Sequence, residues 1–154
     1  MGDNGGLSRD RAAQIIDALN AQDAAALKGM FSKYSAQIDK GLEYLLSMFP
    51  DGDIVWQEDQ GGSAVSERVD GDKRTVLLLT FYTVSSGGVD YRLFFADFIE
   101  NTIDPDNVGI YAIGAVTVSP EGTLYIPEVY LHQWSTSFYI GANTPPGVFI
   151  PKPE

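Results

Sequence analysis

Arg74-Thr75-Val76-Leu77-Leu78-Leu79-Thr80-Phe81-Tyr82-Thr83-Val84, followed across Gly87-Gly88 by Tyr91-Arg92-Leu93-Phe94-Phe95-Ala96-Asp97-Phe98-Ile99, is the stretch that decides the fold. Both runs are rich in β-branched and aromatic residues and read as strands. Gly87-Gly88 reads as a two-residue primed turn, because glycine takes the positive φ such a turn needs without a steric penalty. That loop sets a register. Phe81 then faces Phe94, Leu79 faces Ala96 and Leu77 faces Phe98 on one side, while Tyr82 faces Leu93, Thr80 faces Phe95 and Leu78 faces Asp97 on the other. At about 3.3 Å per residue the ribbon is roughly 35–40 Å long, and since neither face is polar, each needs a cover.

The first side carries no polar residue over its middle. Phe81, Leu79, Leu77, Phe94 and Phe98 are therefore expected to form the core face against helices. The second side, with Tyr82, Tyr91, Thr80, Phe95, Leu78 and Asp97, is too apolar to leave in water and too mixed for an ordinary core. Two covers are in view for it: the aromatic-rich C-terminal segment, or a second copy of the chain in a homodimer.

Upstream of the ribbon the periodicity is helical. Ser8 is a candidate N-cap for a helix with Ala12, Ile15, Ile16 and Leu19 on one face. Asp23 is a candidate cap for a second, carrying Leu27, Met30 and Phe31. Ser35 opens a third, in which Ile38, Leu42, Leu45, Leu46 and Phe49 form a stripe that stops at Pro50-Asp51-Gly52. Asp53 to Glu58 reads as a strand broken by Gly61-Gly62, with a second run from Ala64 to Val69 and a turn at Asp70-Gly71-Asp72. Beyond the ribbon, Val108 to Val118 and Thr123 to Ile126 read as strands around a turn at Ser119-Pro120-Glu121-Gly122. Residues 1–7 read as a flexible leader, 8–154 as one domain, and 127–154 as an extended arm within it. Helices followed by long antiparallel strands make an α+β layout.

A chain of 154 residues suits one domain that buries roughly 70% of its unfolded surface. With 8 Phe, 8 Tyr and 2 Trp, it has the apolar content to do so. The 21 acidic residues outnumber the 10 basic ones, for a formal charge of −11 that repels phosphate backbones and argues against nucleic acid. There is no cysteine, hence no disulfide framework, thiolate metal site or cysteine nucleophile. No run has the length of a membrane span. His132 is the single histidine, which argues against a histidine metal cluster or a hydrolase triad. Gly61-Gly62 and Gly87-Gly88 lack the flanking residues of phosphate loops. Asp104-Pro105-Asp106-Asn107 fails the spacing of a calcium loop and reads as a turn. No metal and no cofactor are expected.

Three N-terminal helices packed against a strongly curved antiparallel sheet resemble the nuclear-transport-factor-2-like, or cystatin-like, cone over residues 8 to 126. A narrower resemblance rests on Tyr91-Arg92-Leu93-Phe94-Phe95, on Asp104-Pro105-Asp106-Asn107-Val108-Gly109-Ile110 and on Gly147-Val148-Phe149-Ile150-Pro151. These are similar to a family of uncharacterised cell-surface lipoproteins of Gram-positive bacteria, a domain of unknown function in that superfamily. The resemblance implies the fold and an extracytoplasmic address, and it carries no activity.

Asp97 is the carboxylate that invites a functional reading, because an ionised group between Phe95 and Ile99 is costly unless partnered; the plainer reading places it on the outer sheet face, paired with a Lys or Arg from a neighbouring strand or a partner subunit. The preferred reading is a non-catalytic binding domain that engages a small molecule or a protein through a cone pocket or a sheet face, with Tyr82, Tyr91, Asp97 and Trp134 as candidate ligand contacts. The rival, implied by resemblance to isomerases and dehydratases of the superfamily, makes Asp97 a proton-transfer base with Tyr82 and Tyr91 as hydrogen-bond donors.

Overall fold

A computed structural model describes residues 4–33, 38–118 and 147–149. Three helices, α1 (Asn4–Asn20), α2 (Ala24–Gly29) and α3 (Asp39–Met48), precede strands β1 (Val55–Asp70), β2 (Lys73–Ser86), β3 (Val89–Asn101) and β4 (Gly109–Val118). A short β5 (Gly147–Phe149) completes a five-stranded sheet in sequence order. Strands β1 to β4 are antiparallel, whereas β5 runs parallel to β4. The result is an α+β domain. Thr123–Ile126, Ser35, and the proposed arm apart from Gly147–Phe149 lie outside the described residues.

The Gly87-Gly88 loop forms as its residues require, with φ of 59° and 79° at the two glycines. The six cross-strand pairs that follow from it are all present, from Leu77 opposite Phe98 to Tyr82 opposite Leu93. Asp53 anchors the loop from outside, accepting the Ser86 hydroxyl at 2.5 Å and the Gly87 N–H at 3.1 Å. The Ser86 bond, with the Gly87 amide adding to it, holds the Asp53 carboxyl below the usual aspartate range.

Gly61-Gly62 does not break β1. The strand is continuous, and its pairing slips between Trp56 and Gly61 instead. The local reason is close approach: a side chain at Gly61 would collide with the Tyr82 ring and the Phe81 carbonyl. The outer edge of β4 is covered by two parallel contacts, β5 at Ala112–Gly114 and the α2 exit segment at Phe31, where Ile110 N–H donates to the Met30 carbonyl at 2.8 Å.

The helices place their apolar stripes as their periodicity requires. Ala12, Ile15, Ile16, Leu19, Leu27, Ile38, Leu42, Leu45 and Phe49 are all buried in one cluster. Asp23 caps α2 by accepting the Ala26 N–H at 3.0 Å. Helix α1 begins at Asn4, so Ser8 lies inside it and is buried. Polar side chains then fasten the helix ends. The Asn20 carboxamide makes two bonds to the backbone of Ile54, and the Gln22 amide reaches the carbonyls of Leu19, Leu46 and Phe49.

The sheet face that meets the helices is the opposite of the one its polarity suggests. Tyr82, Val84, Leu93, Phe95, Ile110, Ile113 and Ala115 join the helical cluster, whereas Leu77, Phe94, Ala96, Ala112 and Val116 form a second cluster containing no helix residue. Leu79, Phe81, Phe98 and Tyr111 pack partly buried against that second cluster. Asp97 removes the apparent obstacle, because its charge is met by a cation on α1.

Candidate functional site

On α1, Arg11 stands one position before Ala12 on the buried stripe, and its Nε donates to Asp97 Oδ2 at 2.8 Å. Asp97 is 2% exposed, and the Arg11 side chain is 24% exposed, so the pair closes the sheet–helix seam at its rim. A half-buried guanidinium thus meets a buried carboxylate through a charge-assisted hydrogen bond. Three buried oxygens in this region have no hydrogen-bond partner among the described residues: Asp97 Oδ1, Thr80 Oγ1 and Ser8 Oγ. Thr80 is the diagonal neighbour of Asp97 across β2 and β3, and Ser8 is one helical turn before Arg11.

The residues singled out from the sequence share a face without converging on one point. Tyr82 is buried and meets Trp56 edge-on at 5.1 Å between ring centroids. Tyr91 is half-buried and meets Phe49 edge-on at 4.8 Å. Tyr91 and Asp97 are six residues apart on β3, roughly 20 Å along the strand. Tyr82 is four residues along β2 from Leu78, the partner of Asp97, or roughly 13 Å. Both tyrosines are packing residues of the helical cluster in this arrangement. Trp134 and His132 lie outside the described residues.

A recess of about 290 Å³ lies elsewhere, where the chain was not expected to carry a site. Two cross-strand rows build its floor: Ser66, Leu77 and Phe98, then Arg68, Thr75 and Asn101. The register slips between these rows, because Val76 pairs with Glu100 while Leu77 pairs with Phe98, leaving Ile99 as the extra residue of a bulge. Ile103 and Asp104 form the wall, fixed by the Asn101 side chain, whose Oδ1 accepts the Asp104 N–H at 2.7 Å and whose Nδ2 donates to the Asn107 carbonyl at 3.2 Å. Phe98 is buttressed edge-on by Tyr111 at 5.4 Å, and burial pushes the Tyr111 hydroxyl up from the ordinary tyrosine range. This recess lies on the face away from the helices.

Residues 14–118, more than half of the chain, match the family described as Domain of unknown function (DUF5104). The chain belongs to that family. The DUF5104 match runs from within α1 to the end of β4, so it contains Asp97 and every residue lining the recess, while Ser8 and Arg11 precede it. Among curated proteins and among solved structures, nothing matches the chain. Among the described residues, no helix is long and apolar enough to cross a membrane, and no three of His, Cys, Asp or Glu gather as a metal site would require.

Sequence reasoning missed Arg11 and the whole recess. The signal for Arg11 was present, since Ser8, Arg11, Ala12, Ile15, Ile16 and Leu19 fall on one helical stripe, and a lone cation there calls for a buried anion. The turn at Gly71-Asp72 also fixes Arg68 opposite Thr75 and Ser66 opposite Leu77. The bulge at Ile99 has no comparable sequence mark.

Proposed function

We propose that this DUF5104 domain is a non-catalytic small-molecule binding domain whose ligand sits in the recess over Leu77 and Phe98. The observation that carries this reading is an open cavity in which the apolar surfaces of Leu77, Phe98 and Ile103 lie among a few polar groups, the general make-up of a ligand site. Its size is at the lower end for such sites, which suits a compact ligand. The burial of Asp97 also supports a non-catalytic reading, since a base must lie within reach of substrate, and this carboxylate is 2% exposed beneath α1.

The nuclear-transport-factor-2-like cone, a lipoprotein-type attachment and an extracytoplasmic address belong to the same proposal. They rest on the likeness of the quoted motifs and on the order of helices and strands. Pairing with a second copy through the far sheet face is the alternative use of that surface.

A fragment screen read by amide ¹H–¹⁵N NMR on the full chain tests the reading. Hits are expected to move the resonances of Thr75, Leu77, Phe98 and Ile103. Hits that move Ser8, Arg11 and Asp97 while leaving those four in place would return the function to the buried carboxylate.

A further inference from the structure

We infer that the recess takes a small zwitterion of the amino-acid type, with a carboxylate at Arg68, an ammonium at Asp104 and an aliphatic group over Leu77 and Phe98. This deepens the binding reading above and rests on it. The starting observation is two opposite charges that line one cavity without meeting each other. Arg11, Lys28, Lys33 and Arg74 each meet a carboxylate within 3.6 Å, whereas Arg68, like Lys73 at the neighbouring turn, makes no ion pair among the described residues, and of the two only Arg68 lines the recess. The Asp104 carboxylate makes none either, although its backbone is pinned by Asn101 and Asn107.

Their spacing explains why they remain apart. Arg68 is on β1, and Asp104 follows Asn101, which lies in the same cross-strand row two strands away. Two strand spacings separate the Arg68 and Asn101 backbones by roughly 10 Å, so the two charged residues enter the lining from opposite sides of the recess. A ligand carrying both complementary charges bridges that gap. Between the walls lie the hydroxyls of Ser66 and Thr75 and the apolar surfaces of Leu77, Phe98 and Ile103. The guanidinium suits a planar carboxylate, which it can grip through two parallel N–H donors.

Net charge decides between a zwitterion and a simple anion. The chain carries −11, and a ligand with an uncompensated negative charge must enter against that field, with Asp104 beside it. A zwitterion enters with no net charge and satisfies both walls. A simple amine would leave Arg68 unused, and the aliphatic group is what the floor selects.

The test is titration of the full-length ¹⁵N-labelled protein with L-leucine, 4-methylpentanoate and 3-methylbutylamine, which keep both charges, the carboxylate alone and the ammonium alone. Leucine is expected to move the amides of Leu77, Phe98 and Ile103, with each half-charged analogue weaker by at least about tenfold, the loss of one good charged contact. Arg68→Gln at an exposed position and Asp104→Asn at a half-buried one each keep the size of the side chain, and each should weaken leucine by a similar factor. Arg68→Gln should leave 3-methylbutylamine unaffected. If either analogue binds as tightly as leucine at those amides, the zwitterion is wrong while the binding site stands. If none of the three moves them at millimolar concentration, the amino-acid ligand is overturned, and the site itself falls only if the fragment screen also leaves those amides in place.

Discussion

The two faces of the β2–β3 ribbon differ less in hydrophobicity than in what completes them. The helix-facing side holds Asp97 and Thr80 and is the more deeply buried: from Leu78 to Ser86, alternate residues of β2 are buried and those between them are half-buried. The far side is apolar from Leu77 to Phe81, yet Leu79, Phe81 and Phe98 stay partly accessible and the recess opens there. A carboxylate does not keep a strand face away from the core if the covering element brings its own cation. An unbroken apolar face, conversely, can be a floor for something other than a helix.

The largest effect that separates the faces should come from paired truncations. Phe95→Ala empties a site with 0% exposure under the helices and is expected to cost about 3–5 kcal/mol in denaturant unfolding, the range for a buried phenylalanine. Phe81→Ala removes a half-buried ring over which the Arg92 guanidinium stacks at 4.6 Å, and it should cost about 1–2 kcal/mol, mostly the lost area. Equal losses at the two positions would erase the distinction between the faces.

A smaller effect sharpens the account of what sets the register. Because Asp53 has a depressed carboxyl pKa in the folded chain, its contribution to stability is present above the unfolded pKa and is lost as pH falls through the folded value. Asp53→Asn keeps an oxygen for Ser86 and Gly87 but does not titrate. Its melting temperature should therefore fall less steeply than the parent's between about pH 4 and pH 2. Parallel curves would mean that the turn gains nothing from the charge.

Much of this fold was legible in the sequence, for reasons specific to each element. Gly87-Gly88 admits few turns, so every pair from Leu77–Phe98 to Tyr82–Leu93 followed from one loop. The stripes on α1 and α3 were equally constrained, because their apolar residues recur at helical spacing and all but Leu46 are fully buried. The facing of the sheet was not legible by polarity alone. It depends on a contact 86 residues apart in sequence, Arg11 with Asp97, and neither residue's neighbours announce the other. The recess was less legible still, since it arises from a one-residue bulge at Ile99 and from an Asn101 side chain spent on shaping the following turn. Tyr82 and Tyr91 looked functional because a hydroxyl on an apolar strand invites that reading. Their rings instead make edge-on contacts with Trp56 and Phe49.

The contact between Arg11 and Asp97 fixes which face of the sheet the helices cover, and a double-mutant cycle measures it directly. Arg11→Ala, Asp97→Ala and the double variant would be compared by urea unfolding. Either single change should cost about 3 kcal/mol, because each strands a partner at a buried seam, with Asp97→Ala toward the low end because the arginine it strands is partly exposed. A coupling energy of about 1–3 kcal/mol is expected, as for residues in direct charged contact. Losses that add to within about 0.5 kcal/mol, the behaviour of residues far apart, would place Asp97 on the other face of the sheet and contradict the account.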